Sequence, residues 1–154
     1  MCIRDRWVRG AGPQTVLRGT GTGPVVQFTS GEGNGSVLDS VTVTGGNATD
    51  GGGILIANAS PLVVRNVVRD NRAASRGSGI YVSGNSVARI YNNLVAYNRT
   101  TSGDPHGIQV SGADPVIVNN TVVRTDSNGL FVSCLLYTSP SPRDRTRSRM
   151  PSSA

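Results

Sequence analysis

The chain has 154 residues, with 15 basic and nine acidic side chains, a formal net charge of +6, 20 glycines and 36% hydrophobic residues. This length suits a single domain, and no apolar run approaches the ~20 residues of a membrane-spanning helix. Both cysteines, Cys2 and Cys134, lie near the ends, so residues 7–133 hold no disulfide framework and give no indication of redox compartment.

The first six residues, "MCIRDR", and the last 21, opening "CLLYTSPSPRD", differ from everything between them. Both resemble translated sequencing-library adapter rather than gene, and such segments are set aside from fold reasoning. On composition alone, a disordered basic tail is the alternative for residues 134–154. Six basic and two acidic residues lie in these ends, leaving nine Arg against seven acidic residues and a net charge of +2 in 7–133. So small an excess argues against a nucleic-acid or membrane surface. Three regions are therefore expected: adapter-like 1–6, a repeat domain over 7–133, and adapter-like 134–154.

Inside those limits one unit recurs. A glycine-rich opening, "VRGAGPQTVLRGTG" at 8–21, leads into a short strand, "VVQF". Then "VLDSVTVTGGN", "LVVRNVVRDN", "RIYNNLVAYN" and "VIVNNTVVRT" alternate with "GILI", "GIYV", "GIQV" and "GLFV". In the longer segments Leu38, Val63, Ile90 and Ile117 correspond, 25, 27 and 27 residues apart. A period of that size, built of strands and glycine turns, marks a solenoid. No segment sustains helical periodicity, while β-branched residues alternate with polar ones between Gly, Asn, Asp and Ser. The chain is thus expected to be all-β, a solenoid of about five coils.

Alternation identifies the inward positions. They are the Leu38, Val63, Ile90, Ile117 series, then Val41, Asn66, Asn93, Asn120, then Val43, Val68, Val95, Val122. On the shorter strand they are Val26, Ile54, Ile80, Ile108, Leu130 and Phe28, Ile56, Val82, Val110, Val132. Stacking turns each series into a column of like side chains. Asn66, Asn93 and Asn120 stand among aliphatic neighbours, where an unpaired amide would cost about 1–3 kcal/mol. A ladder of amides bonding from coil to coil satisfies them; a plain turn role is the alternative.

"GGGILIANASPLVVRNVVRDN" and "GSGIYVSGNSVARIYNNLVAYN" resemble the right-handed parallel β-helix repeats of the pectate-lyase-like superfamily. A leucine-rich repeat fits "LDSVTVTGGN" loosely. It would want Leu where three of four copies have Asn, and a helix or 3₁₀ turn where "GIYVSG" reads as strand. The β-helix resemblance covers residues 7–133. It implies an extracellular or cell-surface protein associated with polysaccharide. A lyase or C5-epimerase, or a structural stalk, adhesin or phage-tail β-helix, are its alternatives, since fold does not fix activity.

Chemistry is harder to place. Lyases of this superfamily use calcium held by clustered carboxylates, with a basic residue taking the proton. The acidic residues Glu32, Asp39, Asp50, Asp70, Asp104, Asp114 and Asp126 show no such cluster, so no metal site is expected and calcium enters only by resemblance. "DPH" at 104–106 resembles the Asp-Pro-His core of mannuronan C5-epimerases, although Gly107 stands where that family has an acid. The resemblance implies His106 as acid or base and Asp104 as its orienting partner; the alternative is a loop turn. Arg65, Arg69, Arg72 and Arg76 cluster in and after one strand, as a binder of acidic polysaccharide would use or as a solvated face would show. Tyr81 and Phe131 are expected to point outward, where rings stack on sugars or simply cover the sheet. Five N-x-S/T sequons begin at Asn34, Asn47, Asn58, Asn98 and Asn119.

Overall fold

The computed structural model describes residues 7–103, 105–125 and 128–133. The adapter-like ends, Asp104 and Asp126 lie outside the described residues. Among those described there is no helix, so none long and apolar enough to cross a membrane.

The chain winds through five rungs. The first consists of β1 (Trp7–Arg9), β2 (Val16–Arg18) and β3 (Val26–Phe28). The second carries β4 (Val37–Asp39), β5 (Thr42–Thr44), an additional strand β6 (Asn47–Asp50) and β7 (Ile54–Ala57). The third repeats this with β8 (Leu62–Val64), β9 (Val67–Arg69), β10 (Arg72–Arg76) and β11 (Ile80–Ser83). The fourth has β12 (Arg89–Tyr91), β13 (Leu94–Ala96), β14 (Arg99–Thr100) and β15 (His106–Ser111). The fifth is β16 (Val116–Val118), β17 (Thr121–Val123) and β18 (Asn128–Ser133).

Equivalent strands pair in parallel into three five-stranded sheets and one of three strands. The first sheet is β1-β4-β8-β12-β16, the second β2-β5-β9-β13-β17, the third β3-β7-β11-β15-β18, and the side sheet β6-β10-β14. Register follows the repeat: Leu38 lies beside Val63, Val63 beside Ile90, and Ile90 beside Ile117. The inward columns form one core in which Leu38, Val63, Ile90, Val43, Val68, Val95, Ile54, Ile80 and Ile108 are fully buried. Burying each such side chain contributes roughly 1.5–3 kcal/mol, which no rung could gain alone.

The corner between the first and second sheets is the same in the second to fifth coils. Ser40, Arg65, Asn92 and Asn119 adopt left-handed backbone with φ of 56°, 55°, 54° and 54°. The next residue turns inward, and there the asparagine ladder forms. Asn66 Nδ2 donates to Asn93 Oδ1 at 3.0 Å, and Asn93 Nδ2 to Asn120 Oδ1 at 2.9 Å. The second Nδ2 hydrogen of each goes to the carbonyl of Leu38 or Val63. Each Oδ1 also accepts a backbone N–H from the preceding coil, Val41 to Asn66 and Asn66 to Asn93. The amides are thus satisfied on both sides.

A second ladder, which the sequence reading missed, stands five residues on. After left-handed Gly45, Asp70, Tyr97 and Arg124 come Gly46, Asn71, Asn98 and Thr125. Asn71 Nδ2 donates to Asn98 Oδ1 at 3.0 Å, while Gly46 N donates to Asn71 Oδ1 at 2.9 Å. This ladder explains the glycine that opens "GILI", "GIYV" and "GIQV". A Cβ on Gly53 would lie 2.7 Å from Val68 Cγ1 and 2.9 Å from Asn71 Nδ2; on Gly79 it would lie 2.6 Å from Val95 Cγ1. The first rung has Val25 at that place, and there the ladder position opposite is Gly46, whose own Cβ would meet Val25 at 2.9 Å. Wherever one partner is large, the other is glycine.

Candidate functional site

Two outer surfaces have the shape and chemistry to hold a ligand. One is the outer face of the first sheet, where side chains flanking the buried column point to solvent. Trp7, Arg9, Asp39, Arg65, Arg89 and Tyr91 surround an apolar floor of Val37, Leu62 and Val64, forming a shallow cleft of about 420 Å³. Strand alternation puts Arg89 and Tyr91 together, on either side of inward Ile90.

Asp39 organises one side of this cleft. Arg65 donates to it from Nε at 3.0 Å and Nη2 at 2.5 Å, Arg9 Nε lies 3.1 Å away, and Ser40 Oγ donates at 2.7 Å. Its side chain is only 8% exposed. Burial alone would raise its pKa, but the hydrogen bonds from Ser40 and Arg65 and the charges of Arg65 and Arg9 outweigh that. The carboxyl is held below the ordinary carboxylate range. Three rungs from Arg9, Arg89 has no carboxylate partner among the described residues.

The second surface is the groove between the third sheet and the side sheet. One cleft of about 550 Å³ is lined by Pro24, Ala48, Thr49, Asp50, Arg76, Tyr81 and Ser83, among others. A neighbouring cleft of about 520 Å³ shares Pro24, Ala48 and Thr49 and adds Thr22, Asn47 and Ala74. Each draws residues from the first three rungs. Arg76 reaches across to Asp50 with two hydrogen bonds, at 3.0 and 2.8 Å, cancelling its charge. The same guanidinium lies over the Tyr81 ring, 5.0 Å from its centroid.

The residues singled out by sequence therefore scatter. Arg65 belongs to the first-sheet cleft. Arg69 is elsewhere, in an exposed pair with Asp70 at 2.7 Å. Tyr81 does occupy an outward position of the third sheet, in one column with Leu55, Gln109 and Phe131, but it is 4% exposed. The Arg76 guanidinium lies over the ring, which leaves little of it open to a ligand. Phe131 is the more accessible ring, 38% exposed.

His106 is 3% exposed and stacks flat on Phe131, centroids 4.6 Å apart and planes 5° from parallel. Among the described residues neither ring nitrogen has a hydrogen-bond partner. The Asp104–His106 pairing cannot be followed because Asp104 lies outside the described residues. Among the described residues no three of His, Cys, Asp or Glu converge as metal ligands do. Asp39, Asp50 and Asp70 are each taken by arginine. These carboxylates do not fit the oxygen cage that calcium needs.

Sequence reasoning overlooked Trp7 and Arg9 as members of a site and the Asp50–Arg76 pair. The signal for the pair was present, since Asp50 and Arg76 are separated by one repeat. No curated protein and no solved structure matches this chain. A family model, described as a right handed beta helix region, matches residues 21–137. That match takes in well over half of the sequence and coincides with the stacked rungs and their ladders; the chain belongs to the right-handed β-helix family.

Proposed function

We propose that this β-helix repeat protein is a secreted or cell-surface protein that binds polysaccharide along its outer surface. The observation that carries the reading is the groove beside the side sheet. It crosses three rungs, its one ion pair is internally neutralised, and Thr22, Asn47, Thr49 and Ser83 line it with hydroxyl and amide groups. Rungs stack about 4.8 Å apart, close to the length of one sugar residue. A linear polymer lying along the axis would therefore meet a new rung at each sugar. Binding rather than turnover is favoured because His106 is buried and Asp39, Asp50 and Asp70 are paired with arginine. The lyase or epimerase alternative rests on Asp104 and His106, and the stalk or adhesin alternative on the solenoid alone.

The test is the mobility of the full chain in native gels cast with soluble neutral and acidic polysaccharides. Retardation by at least one polymer, relieved when Ala48→Trp fills the groove, is the expected result. Unchanged mobility in every gel would remove the reading.

A further inference from the structure

We infer that Asn34 is a self-modifying site. In the folded chain it closes to a succinimide with Gly35 and reopens as aspartate or isoaspartate, while the fold holds the other Asx–Gly pairs unreactive.

The reaction needs only a backbone nitrogen free to attack the side-chain carbonyl of the residue before it. The Gly35 nitrogen gives its proton to hydroxide and attacks Asn34 Cγ. A C–N bond forms, the bond from Cγ to Nδ2 breaks, and the amide leaves as ammonia after taking a proton from water. Water then adds across one of the two imide C–N bonds. Opening on the side-chain carbonyl gives aspartate. Opening on the main-chain carbonyl gives isoaspartate, with the main chain routed through the former side chain. No oxidant or reductant enters.

Asn–Gly occurs twice, at Asn34 and Asn128, and Asp–Gly once, at Asp50. Asn34 and Gly35 are both exposed and form the centre of a turn, closed by Ser36 N–H donating to the Gly33 carbonyl at 3.0 Å. Among the described residues no hydrogen bond holds the Gly35 N–H. A Cβ built on Gly35 meets nothing within 4 Å, so the approach to its nitrogen is open.

The other pairs are fixed. Both Asp50 carboxylate oxygens accept from Arg76, at 3.0 and 2.8 Å, and the Gly51 N–H donates to the Arg76 carbonyl at 3.0 Å. Asn128–Gly129 lies in β18, paired in parallel with β15. Extended backbone turns the following nitrogen away from the side chain it would attack. Asn58 is exposed like Asn34, but the next N–H, of Ala59, donates to Ser86 Oγ at 3.2 Å.

Isoaspartate lengthens the main chain inside the 33–36 turn. It thereby loosens buried Ser36, whose carbonyl receives the Leu62 N–H of the third rung at 2.9 Å. Either product sets a new carboxylate close in sequence to buried Glu32. In a glycosylating host the same Asn34 nitrogen would carry any glycan, so glycan and ring closure exclude one another.

The test holds the full chain, made without glycosylation, in warm neutral buffer, either folded or unfolded in urea. Peptide mass mapping then reads the change from amide to acid at each asparagine. In the folded chain Asn34 is expected to convert faster than Asn58 and Asn128 by about tenfold or more, the effect of a hydrogen bond that must open first. In urea Asn128 should approach the rate of Asn34, because the two dipeptides are identical. Gly35→Ala adds a methyl in open space and should slow Asn34 by a similar factor, with an unchanged thermal melt. Isoaspartate among the products marks the ring. Folded-chain conversion at Asn128 as fast as at Asn34 overturns the inference without recourse to any variant. So does aspartate as the sole product, or an Asn34 rate that Gly35→Ala leaves unchanged.

Discussion

Asn71 and Asn98 are joined through their side-chain amides at 3.0 Å, 27 residues apart in sequence and one coil apart in space. Both are buried, at 2% and 0% exposure. Their neighbours on the third sheet, Gly53 and Gly79, have no side chain because the amide and a valine of the following coil fill the space. This is the most specific local rule in the molecule, and it sets the stability predictions.

Removing one rung of a ladder strands several groups at once. In Asn93→Ala the backbone N–H and Nδ2 of Asn66 lose their acceptor, and the Val63 carbonyl loses its donor. Each buried unsatisfied group costs about 1–3 kcal/mol, so a loss of at least about 2 kcal/mol is expected. Asn34→Ala, at an exposed turn, should stay within about 0.5 kcal/mol of the parent. Urea unfolding midpoints at constant slope measure both.

The glycine opening "GIYV" is required for space. Gly79→Ala places a methyl 2.6 Å from Val95 Cγ1 and 2.7 Å from the Gly107 carbonyl oxygen. Overpacking of this kind costs typically about 1–3 kcal/mol. Gly33→Ala meets nothing within 4 Å and should be close to neutral. Thermal melting of the two variants side by side gives the comparison.

Acid should loosen the first-sheet cleft. The folded pKa of Asp39 lies below its ordinary value of 3.8. The stability contributed by its pairing is therefore fully present above that value and is lost as pH falls through the lower, folded one. Asp39→Asn should be less stable than the parent at neutral pH, by about 1 kcal/mol given how exposed both arginines are, and the gap should shrink below about pH 4. Melting temperature followed from neutral pH down to pH ~2.5 would show it; parallel curves for the two proteins would assign the acid response to other groups.

The sequons divide by burial. Asn34, Asn47, Asn58 and Asn119 are exposed, whereas Asn98 is at 0% and bonded within the second ladder. In a secretory host that glycosylates, the folded product should be unmodified at Asn98, with any glycan confined to the other four. Peptide mass mapping reads this directly, and a glycan on Asn98 in folded protein would contradict the second ladder.

The core was legible in the sequence because each coil repeats aliphatic residues at fixed positions, and stacking needs nothing more. The first ladder was legible for the same reason, with Asn66, Asn93 and Asn120 in consecutive copies. The second was hidden because Gly46 and Thr125 bracket Asn71 and Asn98, so its column changes residue type at both ends. The side sheet was invisible: Asn47–Asp50, Arg72–Arg76 and Arg99–Thr100 have no alternating apolar pattern, and small Ala73 is the fully buried apolar side chain among them. Without that sheet, Tyr81 reads equally as a ring for sugars or as a cover for the third sheet, and the groove has no second wall. The arginine cluster read from sequence dissolves for a related reason. Arg65, Arg69 and Arg76 each find an acidic partner, and those of Arg65 and Arg76 come from the preceding coil.

The proposed groove and the first-sheet cleft both depend on coils stacked in the register that the two ladders share with the strand pairing, which places Arg89, Tyr91 and Arg65 around one cleft. Hydrogen exchange of the asparagine side-chain amides, followed by NMR on the full chain, reports on it residue by residue. The account predicts slow exchange for Asn66, Asn71, Asn93 and Asn98, and fast exchange for exposed Asn34 and Asn58. Side-chain amides of the ladder positions exchanging as fast as those of Asn34 would contradict it.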